Sequence, residues 1–208
     1  MKFEPLKYIY QSSGNAAAHT LLLLHGTGGN EKDLIPLAKD FGDRFNILSL
    51  RGNVSEHGMP RFFKRLGMGV FDEKDIDFRT DEMVSFIESI ADKEDFDITK
   101  LIALGYSNGA NIAGSTLIKY PEFLAGAILY RPMQPFKEVK SIGTDTGVPV
   151  FFSSGRLDPT INPNETVEYL DKLKELGFTV EHHDLLTGHN LTQNDIELTA
   201  EWLNMNFA

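Results

Sequence analysis

Cysteine is missing from the 208-residue sequence. Disulfides, thiolate nucleophiles and Cys-ligated metals are thereby excluded, whatever chemistry the chain performs. Long apolar runs are missing too. No window approaches the roughly 18 to 20 apolar residues that a membrane span needs, so none is expected. The opening Met1-Lys2-Phe3-Glu4-Pro5 has no apolar stretch of the kind a secretory signal carries, which leaves a cytoplasmic location as the expectation. Positive charge is scarce. Lys and Arg number 20 against 30 Asp and Glu, a formal net charge of −10, which disfavours phosphate backbones and anionic lipid; nucleic acid is not an expected partner. A short basic stretch from Arg61 to Arg65 is the local exception. No repeat, low-complexity tract or Pro/Gly/Ser linker divides the chain, so one domain over residues 1–208 is expected.

What is present is an alternation of short apolar runs with longer segments of helical period, the pattern of a mostly parallel central sheet covered by helices on both faces, an α/β fold. Lys7 to Gln11 reads as an antiparallel opening strand turned by Ser13-Gly14-Asn15. Thr20 to Leu24, Phe45 to Leu50, Leu101 to Leu104, Leu124 to Tyr130, Val148 to Ser153 and Phe178 to His182 read as further strands. Helices are expected over Glu31 to Phe41, Thr80 to Ile90, Asn108 to Lys119, Asn164 to Leu176 and Thr192 to Asn206.

Gly105-Tyr106-Ser107-Asn108-Gly109 matches G-x-S-x-G. The pattern is weak alone. Here it follows the apolar run 101–104 and opens a helix-like stretch, the setting in which a sharp strand-to-helix turn exposes a serine oxygen beside a helix N-terminus. Ser107 is therefore the candidate nucleophile. His25-Gly26-Thr27-Gly28-Gly29 follows an earlier strand and fits a glycine-rich loop that brings backbone close to a substrate. In that reading the N–H groups of Thr27 and Asn108 form an oxyanion hole, and His25 shapes the loop rather than acting as a base. A phosphate cradle is the competing reading, weakened because neither Gly-Lys-Ser/Thr nor G-x-G-x-x-G is present.

The base should follow the nucleophile in the chain, with the acid between them. His182 and His183 fall in a strand, whereas His189 stands in the loop after it, where catalytic groups collect in open α/β sheets. Asp158, in Gly155-Arg156-Leu157-Asp158-Pro159, follows a strand and precedes a helix. Asp184 is its main rival. Asp171 and Asp195 fall in helices and read as solvated positions. Arg131 fits either an acidic substrate or a surface salt bridge. No His/Asp/Glu cluster has metal-ligand spacing, and a serine mechanism needs no metal or organic cofactor.

Together with Arg51-Gly52-Asn53 and Gly188-His189, these motifs resemble the phospholipase/carboxylesterase family of α/β-hydrolases, which includes acyl-protein thioesterases and small bacterial carboxylesterases. The stretch from Arg51 to Phe71 resembles in particular the bacterial branch associated with hydroquinone resistance. The resemblance spans nearly the whole chain and implies Ser107, Asp158 and His189 as the triad, with donors at Thr27 and Asn108. Thioesterases of the family usually carry Gln after the nucleophile where this chain has Asn108. The function implied is hydrolysis of small carboxylic esters, with a thioesterase or lysophospholipase-like activity as the near alternative and a non-catalytic ligand-binding protein as the distant one. Family members often dimerise, and a homodimer stays open although no interface stripe marks it. The connection 51–78 is long enough to cover a pocket; its Met59, Phe62, Phe63, Met68 and Phe71, with Met133 beyond, either line that pocket or complete the core.

Overall fold

The computed structural model describes residues 2–15, 17–67, 69–139 and 146–208. The chain runs through β1 (Lys7–Gln11), β2 (Thr20–Leu24), α1 (Ile35–Lys39) and β3 (Asn46–Arg51). Two small hairpins follow, β4 (Val54–Glu56) with β5 (Met59–Arg61) and β6 (Arg65–Gly67) with β7 (Val70–Phe71), and then α2 (Glu73–Glu94). After a 3-10 turn (Ile98–Lys100) come β8 (Leu101–Tyr106), α3 (Asn108–Lys119), β9 (Gly126–Tyr130), β10 (Pro149–Gly155), α4 (Pro163–Glu175), β11 (Thr179–Leu185) and α5 (Gln193–Asn206).

All five residues of β2 are buried. Leu22 and Leu24 belong to one core, Leu21 and Leu23 to another. That split is what period-two alternation requires of a strand covered on both sides. It recurs in β3, where Leu48 and Leu50 join the first core and Ile47 the second, and in β10, where Phe152 and Phe151 do the same. The first core is closed by α2, α3 and α4 through Met83, Ile87, Ile112 and Leu173; α1 and α5 close the second through Ala38, Trp202 and Leu203. Among the described residues the main sheet has the order β1-β3-β2-β8-β9-β10-β11. Only β1 is antiparallel, to β3. The chain leaves β2 towards one edge and resumes at β8 on the other side. Such a switch point opens a crevice at the strand C-termini where ligands bind.

Three expected boundaries are corrected. Helix α1 starts at Ile35 rather than Glu31, because Asn30 and Asp33 draw the chain into a side-chain-bonded turn (Lys32 N–H to Asn30 Oδ1, 3.0 Å; Asn30 N–H to Asp33 Oδ2, 3.2 Å) and Pro36 stands at its first turn. Helix α2 starts at Glu73, seven residues before Thr80, because Asp72 caps it by accepting from the Asp75 N–H at 3.2 Å. The irregular connection therefore ends at residue 72, not 78. Strand β11 runs past His182 to Leu185, held in register with β10 up to Gly155.

Candidate active site

Ser107 is built into the turn between β8 and α3 by sterics. Its φ of 53° and ψ of −111° lie in a region non-glycine residues rarely occupy. The turn closes tightly enough that a Cβ on Gly105 would lie 2.4 Å from the Gly109 carbonyl oxygen, and one on Gly109 would lie 1.9 Å from that of Leu24. Hydrogen bonds hold the strain: Ser107 N–H donates to Tyr130 O at 2.9 Å, and Asn111 N–H to Ser107 O at 3.0 Å.

Two more strand ends bring His189 and Asp158 to this turn. His189 Nε2 is 2.9 Å from Ser107 Oγ, and its Nδ1 is 2.6 Å from Asp158 Oδ2. The Asp158 side chain is buried, whereas His189 is partly exposed. Burial alone would raise the Asp158 pKa. Hydrogen bonds from the Thr160 hydroxyl (2.6 Å) and N–H (2.9 Å), and the contact with His189, outweigh it and hold the carboxyl below its usual range. An ionised Asp158 keeps the proton on Nδ1, so Nε2 can accept one from Ser107. The other histidines and the rival carboxylate are occupied elsewhere. Asp184 accepts from Arg156 Nε at 2.9 Å, His182 bonds Ser154 at 2.8 Å and His183 bonds Glu181 at 2.7 Å.

The loop carrying His189 is clamped from below by Arg131, and here two expectations are corrected. Arg131 is not on the surface and Asp195 is not solvated; their side chains are fully buried against each other, Nη1 to Oδ1 and Nη2 to Oδ2 both at 2.8 Å. Asp195 is also the N3 residue of a capping box with Thr192, so the start of α5 fixes it facing inward. The same guanidinium donates to Gly188 O at 3.2 Å and Asn190 O at 3.0 Å, the carbonyls on either side of His189. Burial alone would raise the Asp195 pKa, but the bonds from Arg131, Ser153 and Thr192 lower it overall. A carboxyl whose folded pKa lies below its unfolded value contributes stability in full above about pH 4 and loses it as pH falls through the folded value. Asp195→Asn is therefore expected to cost about 3–5 kcal/mol at pH 7, since it leaves a buried cation unpaired. The difference from wild type should shrink below pH 4. Urea unfolding of both proteins at pH 7 and pH 3 checks this, and an equal difference at both pH values would contradict it.

The Thr27 N–H lies in the 25–29 loop and the Asn108 N–H opens α3, a position where helix geometry supplies no acceptor. Neither has a hydrogen-bond acceptor among the described residues. His25 is buried and stitches this loop to the next: Nε2 accepts from Gly52 N–H at 3.1 Å, so Nδ1 carries the proton and donates to Gly26 O at 2.6 Å. Burial lowers its pKa and keeps the ring neutral. The Asn108 side chain is a strut, its Oδ1 accepting from Phe62 N–H at 2.7 Å.

A cavity of about 170 Å³ adjoins Ser107. Of the residues expected to line a pocket, Phe71 and Met133 do so. Phe62 and Phe63 do not: they are buried in the first core, because the Asn108 strut and the Arg61 guanidinium, which donates to Phe63 O at 3.1 Å, pull residues 61–63 inward. Met59 is exposed on the β4–β5 hairpin and packs near Gly28 instead. Met68 lies outside the described residues. Sequence reasoning missed Arg61, Arg65, Asn111 and Thr160, which also line the cavity. The basic stretch 61–65 was the available signal for the first two. Among the described residues no group of three His, Asp or Glu could hold a metal, and no helix is long and apolar enough to cross a membrane.

The chain matches the phospholipase/carboxylesterase family over residues 8–207. It is 44% identical over 197 residues to MhqD of Bacillus subtilis (strain 168), covering 95% of this chain and 97% of that one. The crystal structure of the Bacillus cereus carboxylesterase superposes with a TM-score of 0.93 at 42% identity, over 97% of this chain and 95% of that one. YahD, whose structure was solved with malic acid, superposes with a TM-score of 0.90 at 30% identity, over 97% and 99% of the two chains.

Proposed function

This chain belongs to the phospholipase/carboxylesterase family, and from that premise we propose that it is a serine carboxylesterase acting on small esters through an acyl-enzyme on Ser107. One observation carries the proposal: the continuous chain from Ser107 Oγ through His189 to the buried Asp158, with links of 2.9 and 2.6 Å, mounted on a turn of positive φ. No fold-level likeness would supply that geometry by itself.

His189 accepts the Ser107 proton as Oγ attacks the ester carbonyl carbon. The carbonyl oxygen becomes an oxyanion facing the N–H groups of Thr27 and Asn108. Each such donor contributes about 3–4 kcal/mol in enzymes of this kind. His189 then passes its proton to the departing alkoxide oxygen, and the carbonyl re-forms as an acyl-serine. Water, losing a proton to His189, attacks the acyl carbon; the second oxyanion collapses, Ser107 Oγ leaves and regains that proton, and the carboxylic acid is released. Asp158 stabilises the imidazolium in both halves without taking the proton. The Arg131–Asp195 clamp on residues 188 and 190 supports the mechanism by fixing where the imidazole stands.

The test is kcat/KM across p-nitrophenyl esters from acetate to palmitate. The cavity beside Ser107 holds about 170 Å³, room for roughly five or six groups the size of a water, so activity should peak at short acyl chains. A maximum at palmitate would overturn the small-ester reading while leaving the hydrolase intact.

A further inference from the structure

One residue of the cavity beside Ser107 holds a polar group that the ester mechanism leaves unused. Asn111 stands one turn into α3, its backbone N–H on Ser107 O, and it lines the cavity although only 4% of its surface is exposed. Its Oδ1 accepts from Met133 N–H at 2.8 Å. Only the carbonyl end of a carboxamide accepts, so that bond fixes which way the amide faces. The Nδ2 end is left with two donors and no acceptor among the described residues.

That end is not sealed. Asn108 Nδ2, at the start of the same helix, also lacks a partner but is closed off from solvent. Asn111 Nδ2 keeps access, and the surface that so buried a residue retains is cavity wall. The two buried arginines of this wall are engaged elsewhere. Arg131 is bonded to Asp195, Ser153 and the carbonyls beside His189. Arg61 is bonded to Phe63 O and Thr27 Oγ1 and paired with Glu56. A carboxamide pinned at one end and open at the other is a receptor for an oxygen. An aliphatic chain laid against it would displace its water and offer no acceptor in return, a mismatch that sites built on a hydrogen bond penalise heavily.

We propose that Asn111 Nδ2 makes the site selective for esters that carry an uncharged acceptor oxygen close to the scissile bond. The donor is a neutral amide and Arg131 is already matched by Asp195, so an ether, hydroxyl or keto oxygen suits it. A helix rises about 6 Å over four residues and its side chains lean towards the N-terminus, which places that oxygen about two to four bonds from the ester group held at Ser107. The inference rests on the ester-hydrolase reading above and adds the substrate class and the residue that reads it. The oxygen can belong to the acyl part or to the leaving alcohol, and two isosteric pairs separate these. Methyl 3-methoxypropanoate is compared with methyl pentanoate for the acyl part, and 2-methoxyethyl acetate with butyl acetate for the alcohol. An ether oxygen only accepts, so it reports on the donor alone. Dividing each kcat/KM ratio by the ratio of the same pair in alkaline hydrolysis removes the inductive effect of the oxygen.

In at least one pair the corrected ratio should favour the ether about tenfold, and the pair that shows it identifies the side. Asn111→Asp keeps an oxygen for Met133 N–H and replaces both donors with an acceptor, so the ratio should fall to one or below. Asn111→Leu, which adds no charge, should bring it near one, and a thermal melt checks that each variant is folded. Corrected wild-type ratios at or below one in both pairs, with the aliphatic esters still turned over, would overturn the inference and spare the hydrolase reading. So would a preference that survives in the folded variants. If no ester is turned over, the hydrolase reading fails, and calorimetric titration of Ser107→Ala with the same four compounds decides the inference separately. Tighter binding of an ether member supports it; equal, weaker or undetectable binding of both overturns it.

Discussion

Ser107→Ala is expected to lower kcat/KM for p-nitrophenyl acetate by about 10,000-fold or more while leaving the fold intact. Losing the nucleophile of a triad removes nearly the whole benefit of its partners, because the three groups act as a unit. The residue that remains still sits over the Thr27 and Asn108 N–H groups, so a small background above water is expected. Stability should barely move. Alanine occupies the same strained φ as serine, and among the described residues the hydroxyl lost bonds only His189. Kinetics and a thermal melt on one preparation check both halves. A variant with more than a tenth of wild-type activity would contradict the assignment of Ser107.

Gly109→Ala is expected to give the largest loss of stability. The added Cβ would lie 1.9 Å from Leu24 O, 2.4 Å from the Leu24 carbonyl carbon and 2.7 Å from His25 O. All three belong to the backbone of β2 and the loop beyond it, so no side chain can swing aside. Either α3 moves off the sheet or the elbow opens. Overpacking that the backbone must absorb costs about 4 kcal/mol or more, a fall in Tm of about 10 °C or more for a chain this long. Gly67→Ala is the control, since nothing among the described residues lies within 4 Å of its Cβ position; that change should stay within about 0.5 kcal/mol. Comparable melting temperatures for the two variants would contradict the steric account of the turn.

How much of this was legible in the sequence depends on the range of the interaction. The turn at Ser107 is local: two glycines, a preceding apolar run and a following helix all lie within a short stretch, and the structure adds only which atoms the glycines avoid. His189 and Asp158 were legible one step removed, through the rule that chemistry gathers where strands end. The Arg131–Asp195 clamp was not. Its members lie 64 residues apart; Thr192, three residues ahead, marks Asp195 as a capping-box residue, but nothing local shows that Arg131 faces it. Phe62 and Phe63 failed for a related reason. A pair of phenylalanines in a long connection fits a pocket roof or a core equally well, and a single long-range bond, Phe62 N–H to Asn108 Oδ1, decides between them. The early start of α2 depended on Asp72, one acidic residue among several in that stretch. Only the Asp75 N–H it accepts from shows it to be the cap.

The most direct test of the central claim is to trap the acyl group. Wild-type protein mixed with p-nitrophenyl acetate and quenched in acid within the first turnover is digested, and its peptides are weighed. A single acetyl group on the peptide containing Ser107, formed in step with a burst of p-nitrophenol and absent from Ser107→Ala, is the predicted result. Turnover of the ester with no acyl group on Ser107, or with equal labelling in the alanine variant, would contradict a serine acyl-enzyme.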